Sequence, residues 1–108
     1  MKCGIDIFHI PRMEKALQDE TAIMKLFTPS ELVDPRPEHL AGVFAAKEAF
    51  FKAINEKPSW LDIEVIYEKN ARPKMKLSAR YSKAVKNLDI SISHDKDYAI
   101  AFVVLETY

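Results

Sequence analysis

A single cysteine, Cys3, in a chain of 108 residues leaves no internal disulfide and no cysteine-rich metal site. Glycine is almost as scarce: Gly4 and Gly42 are the only two, both in the first half, so punctuation of the chain falls to proline and capping residues. Net charge is missing as well. Sixteen basic residues cancel sixteen acidic ones, which argues against a duplex nucleic-acid binder working through a broad cationic field, so any anionic ligand must be met by a local cluster. No stretch approaches the roughly 18 consecutive apolar residues of a membrane-spanning helix. Met1-Lys2 leads directly into a strand that an acid interrupts, so no secretion signal is expected and a reducing cytoplasm is the expected setting. What remains, 48% apolar and 30% charged residues, is enough for one modest core, hence one domain over residues 1–108.

The patterning predicts an α+β domain in which an antiparallel sheet packs against a long helix. An opening strand covers about residues 3–9, and Pro11 followed by Met13, Ala16 and Leu17 reads as a short helix. Thr28-Pro29-Ser30-Glu31 matches a capping box and predicts another short helix, stopped by Asp34-Pro35-Arg36-Pro37. The longest helix follows over about 38–55. Leu40, Val43, Phe44, Phe50, Phe51 and Ile54 share one arc of it and five alanines cover much of the rest, so it is expected to pack on more than one side. Two hairpins then appear, 61–67 with 73–77 and 89–93 with 98–105, separated by a predicted helix over 79–88. The last strand is almost wholly apolar and is expected at the centre of the sheet.

Two acids stand in odd places. Asp6 interrupts a run that otherwise reads as a buried strand, where a carboxylate must be desolvated and something has to reward it. Glu48 lies in a small-residue helix beside Lys47 and Lys52. Two carboxylates flanked by two lysines point to a metal and a polyphosphate.

Four blocks carry a resemblance: Gly4-Ile5-Asp6-Ile7, Phe27-Thr28-Pro29-Ser30-Glu31, Phe44-Ala45-Ala46-Lys47-Glu48-Ala49-Phe50-Phe51-Lys52-Ala53, and Ile92-Ser93-His94 leading to Tyr98-Ala99-Ile100-Ala101. In order and spacing the chain resembles the holo-acyl-carrier-protein synthases, the small trimeric type of 4′-phosphopantetheinyl transferase. The resemblance implies that fold and a reaction in which the phosphopantetheine arm of coenzyme A passes to a serine of acyl carrier protein, releasing adenosine 3′,5′-bisphosphate. It implies Asp6 and Glu48 as ligands of Mg²⁺ (or Mn²⁺), with Glu48 or a water on the metal taking the serine proton. It also implies Lys52 as a catalytic and phosphate-facing residue, and Lys47, Arg72, Pro73 and His94 on the coenzyme A side. Arg12 would dock the acidic carrier protein, and a homotrimer would share its sites between neighbouring subunits.

Taken singly, each of these residues fits a plainer role. Glu48 and Lys52 at i, i+4 form a common surface pair, Lys47 can snorkel from an apolar face, His94 can be a turn residue, and Asp6 can cap a turn. Arg12 and Arg72 can be solvated, and Cys3 reads as a small core residue. The chain also departs from the family pattern. Val43 stands where an arginine is common, Asn55-Glu56-Lys57-Pro58-Ser59-Trp60 replaces a glycine-containing loop, Asn70-Ala71 replaces a turn glycine, and Phe8-His9 stands where acids often follow the first strand. A non-catalytic coenzyme A or carrier-protein binding module, or a structural subunit, are the alternatives those departures leave open.

Overall fold

The computed structural model describes residues 1–108. Strand β1 (Lys2–His9) alternates, with Gly4, Asp6 and Phe8 facing inward and Cys3, Ile5 and Ile7 facing out. It pairs antiparallel with β5 (Tyr98–Thr107), which in turn pairs with β4 (Val85–Asp95), giving the order β1-β5-β4. The apolar last strand is central, as its composition predicts. Strands β2 (Ile63–Tyr67) and β3 (Pro73–Leu77) form a separate two-stranded antiparallel sheet.

Helix α3 (Pro37–Ile54) begins on a proline and ends where Asn55 turns left-handed, φ 56°, its N–H capping the Phe51 and Lys52 carbonyls. The helix is buried on several sides: Leu40, Ala41, Val43, Ala45, Ala46, Ala49, Phe50 and Ala53 are all in the core. Small residues let its backbone lie directly on β1. A Cβ built on Gly4 would stand 1.9 Å from the Ala49 carbonyl oxygen, so only glycine fits there. Neither glycine occupies a left-handed conformation; the positive-φ residues are Asn55, Ala71 and Lys96.

Several expectations are corrected. Helix α1 (Ile10–Ala16) forms with Met13 buried, but α2 (Glu20–Leu26) was not foreseen; the Asp19 carboxylate caps it by accepting the Ala22 N–H at 3.1 Å. The capping box at Thr28 does close, Glu31 accepting the Thr28 N–H at 2.8 Å, yet only one 3-10 turn follows (Glu31–Val33) because Glu31 is drawn into the core. The predicted helix over 79–88 is reduced to α4 (Ala79–Ser82), after which β4 starts at Val85. The ten-residue β5 offers ladder partners along its whole length, and a register shift between Val85 and Asn87 lets Leu88 and Ile90 join it. Residues 60–62 form a 3-10 turn and not the start of a strand. Cys3 is exposed on the outer sheet face and is no core residue. No helix is long and apolar enough to cross a membrane.

Candidate active site

Asp6 reaches the seam between β1 and α3 because the even positions of β1 face the helix. There the Lys52 ammonium lies 2.9 Å from Asp6 Oδ1 and 3.1 Å from the Ile5 carbonyl oxygen. Lys52 therefore pairs across to the strand and not with Glu48 along its own helix. The Asp6 side chain is buried while Lys52 is 57% exposed, so the cluster opens to solvent on the lysine side. Glu48 completes it. Burial first, then the adjacent Asp6 carboxylate, push the Glu48 carboxyl up to about 7, against the lowering exerted by Lys52 and Arg12. Arg12, on α1, thus stands close enough to be felt at Glu48, with its guanidinium 4.8 Å from the centre of the Phe8 ring.

One atom in this cluster lacks a partner. Asp6 Oδ2 is buried and no other donor reaches it; the hydrogen bond linking Asp6 to Glu48 lasts only while Glu48 carries its proton, and an ionised pair would leave an unpartnered oxygen that costs free energy in a finished core. Two crowded carboxylates, one with an orphaned oxygen and the other with a raised pKa, describe a place short of positive charge. A hard divalent cation with oxygen ligands fits that deficit. No third acid, histidine or cysteine joins the two, so a cation seated there would have two carboxylates from the protein and would take its other oxygens from elsewhere.

The other candidates are placed apart. His94 is not in a loop: it lies in β4 opposite Ala99, its Nε2 2.8 Å from the Glu38 carbonyl oxygen at the first turn of α3. Gly42 makes this seat, since a Cβ there would come within 3.0 Å of the imidazole Nε2. Glu38 and Glu48 are ten residues apart, about 15 Å along a helix axis, so His94 marks the opposite end of α3. Arg72 lies 3.3 Å from Asp89 and, with Pro73, lines a groove that Phe102 and Val104 also line. That groove belongs to the outer sheet face.

Lys47 requires a correction. It is completely buried and cannot reach a cofactor: its ammonium donates to Glu31 at 2.6 Å, to the Leu26 carbonyl at 2.9 Å and to the Trp60 carbonyl at 2.9 Å. An apolar-arc position carries it inward, and a buried carboxylate receives it. The sequence signal for this pair was the combination of a lysine on the apolar arc with an acid at 31, which the capping box masked. Trp60 was also missed. It packs on Phe44 and Phe51 and, together with Glu48, Phe51, Lys52, Asn55, Glu56 and Pro58, bounds a cleft of about 350 Å³ beside the carboxylates.

A family profile described as the 4′-phosphopantetheinyl transferase superfamily matches residues 2–103. The chain belongs to this superfamily. Among its relatives, the holo-[acyl-carrier-protein] synthase of Oceanobacillus iheyensis is 41% identical over 96% of this chain and 94% of that protein. The enzyme of the same name from Frankia alni is 38% identical over 96% and 95%. Of solved structures, the Helicobacter pylori holo-[acyl-carrier-protein] synthase in complex with coenzyme A superposes with a TM-score of 0.84 at 35% identity, covering 96% of this chain and 99% of that one. The Bacillus anthracis synthase in complex with coenzyme A (3′,5′-ADP) gives 0.85 at 34%, covering 99% and 96%. The phosphopantetheinyl transferase fold expected from the sequence is therefore the fold observed.

Proposed function

We propose that this phosphopantetheinyl transferase is a holo-[acyl-carrier-protein] synthase. It moves the 4′-phosphopantetheine of coenzyme A onto a serine of apo-acyl carrier protein. The serine oxygen forms a bond to the pantetheine-side phosphorus, the bridging P–O bond breaks, and adenosine 3′,5′-bisphosphate leaves with the electron pair. The observation that carries the reading is the meeting of Asp6, Glu48 and Lys52 at one solvent-facing seam, with Asp6 Oδ2 unpartnered.

Asp6 and Glu48 would hold Mg²⁺ (or Mn²⁺), which when bound supplies positive charge to the diphosphate oxygens. Lys52 presents an exposed ammonium at the same seam, suited to a phosphate oxygen. Glu48 would stand at the seam as an acceptor for the serine proton; its rise to about 7 belongs to the metal-free site, because a bound cation favours the ionised carboxylate. Arg12, exposed on α1 beside this seam, would receive an acidic carrier protein.

His94, Arg72 and Pro73 would serve the nucleotide end of coenzyme A across a subunit boundary in a homotrimer. The outer sheet face supports this assembly: Ile5, Ile7 and Phe102 are exposed there, and Arg72 and Pro73 sit at its groove, away from Asp6. An Asp6→Ala subunit mixed with an Arg72→Ala subunit should then regain part of the activity that each lacks.

The deciding experiment is a mass-shift assay of apo-acyl carrier protein with coenzyme A and Mg²⁺. Addition of the phosphopantetheine mass, lost with Asp6→Ala, is the expected result. Coenzyme A binding without any mass shift would instead make the chain a binding module.

A further inference from the structure

The Glu31–Lys47 pair stands next in sequence to Glu48 but takes no part in the seam. Its geometry is that of a hub. From α3, the Lys47 ammonium binds the Leu26 carbonyl at the end of α2, the Glu31 carboxylate after it, and the Trp60 carbonyl. Glu31 in turn accepts the Thr28 N–H through Oε1 and the Val65 N–H of β2 through Oε2, both at 2.8 Å. All three ammonium protons and both carboxylate oxygens are used, so the pair is buried and fully satisfied, unlike Asp6. Burial alone drives the Lys47 ammonium toward neutrality, and the Glu31 charge opposes it.

What the hub holds is the wall of the cleft. The loop 55–60 carries no glycine, and its backbone is fixed at the far end by the Lys47–Trp60 bond. The Trp60 ring packs on Phe44 and Phe51 of α3 and faces the cleft that Glu48 and Lys52 also line. We infer that Glu31 and Lys47 are positioning residues that hold the Trp60 wall against Glu48 and Lys52, and so set the width of the cleft that takes coenzyme A. This rests on the function proposed above. A buried ion pair is seldom worth more to stability than apolar residues of the same volume, so positioning rather than stability is the reason argued for keeping it.

The test uses Trp60 as its own reporter, because it is the only tryptophan in the chain. Lys47→Met leaves the Glu31 charge unpaired in the core and should destabilise the fold. The double variant Glu31→Gln/Lys47→Met removes both charges at similar volume and should melt cooperatively. In that double variant the Trp60 emission should move to longer wavelength, and kcat/KM for coenzyme A should fall by about tenfold through KM, with KM for the carrier protein changed by less than about twofold. Unchanged emission, or shifted emission with unchanged coenzyme A kinetics, would overturn the inference. So would a double variant that does not fold, since the pair would then hold the core and not the wall. If the wild-type chain transfers nothing, the proposed function fails, while the emission still decides whether the pair holds Trp60.

Discussion

Replacing Gly4 by alanine tests whether the packing of α3 on β1 sets the geometry of the seam. The added Cβ would lie 1.9 Å from the Ala49 carbonyl oxygen, 2.9 Å from its carbonyl carbon and 3.1 Å from the Ala53 nitrogen. All three are backbone atoms, so no side chain can swing aside. Bringing the shortest contact to about 3 Å requires helix and strand to separate by about 1 Å, and overpacking of this kind costs about 1–3 kcal/mol. A loss of about 2 kcal/mol lowers Tm by about 10 °C in a domain near this size. The same displacement acts on chemistry, because Asp6 is two residues from Gly4 on the strand face while Glu48 and Lys52 flank Ala49 and Ala53 on the helix. A misplacement of about 1 Å in a catalytic constellation is worth about 100-fold in rate. Thermal melts and the mass-shift assay, run where the variant is folded, give both numbers. A variant with unchanged Tm and transfer within about threefold of the wild type would refute the argument that the strand–helix contact positions the seam.

The Glu48 carboxyl, raised from 4.5 to about 7, ties stability to pH. A carboxyl raised on folding contributes stability that is complete below about 4.5 and is lost as pH climbs through about 7. Allowing for solvent screening at a partly open site, the metal-free protein should lose on the order of 1 kcal/mol over that window, and Glu48→Gln should flatten the profile in denaturant titrations. Mg²⁺ bound as proposed would displace the same proton, so its stabilising effect in thermal-shift measurements should grow between pH 6 and pH 8. Arg12→Glu should raise KM for an acidic carrier protein by about tenfold in a salt-sensitive way while leaving coenzyme A affinity by calorimetry nearly unchanged; equal losses in both would remove Arg12 from the docking surface. Tyr81 buries a hydroxyl with no partner, so Tyr81→Phe should stabilise the fold by about 1 kcal/mol in urea melts.

The seam was legible in the sequence because its residues break local rules. An acid inside a strand and an acid with lysines inside an alanine-rich helix each violate the pattern around them, and such violations gather where chemistry is done. The central place of β5 followed from its apolar run. Residues 20–26 were harder: Ile23 and Leu26 make too short a stripe to stand out, and the Asp19 cap is the main signal. Val85 and Leu88 extend the helical spacing from Tyr81 as well as they fit a strand with one irregularity, and only the long partner β5 decides between the two for residues from 85 onward. Lys47 was misread because a lysine's reach is ambiguous until its acceptor is known. Here the acceptors come from positions 26, 31 and 60, remote in sequence.

The chain's left-handed turns have a practical consequence for anyone seeking a hardier enzyme. Ala71 and Lys96 bend with φ near 60° without the freedom of glycine, each at a strain of about 1–2 kcal/mol, whereas asparagine at 55 tolerates that shape readily. Glycine at either turn would relieve the strain and return part of the gain as a more flexible unfolded chain. Both turns lie away from the carboxylate seam. Heat tolerance is therefore available at the hairpin tips without altering Asp6, Glu48 or Lys52, in a protein that uses its only two glycines for close packing; because Ala71 adjoins Arg72 and Lys96 is two residues from His94, KM for coenzyme A would report any cost.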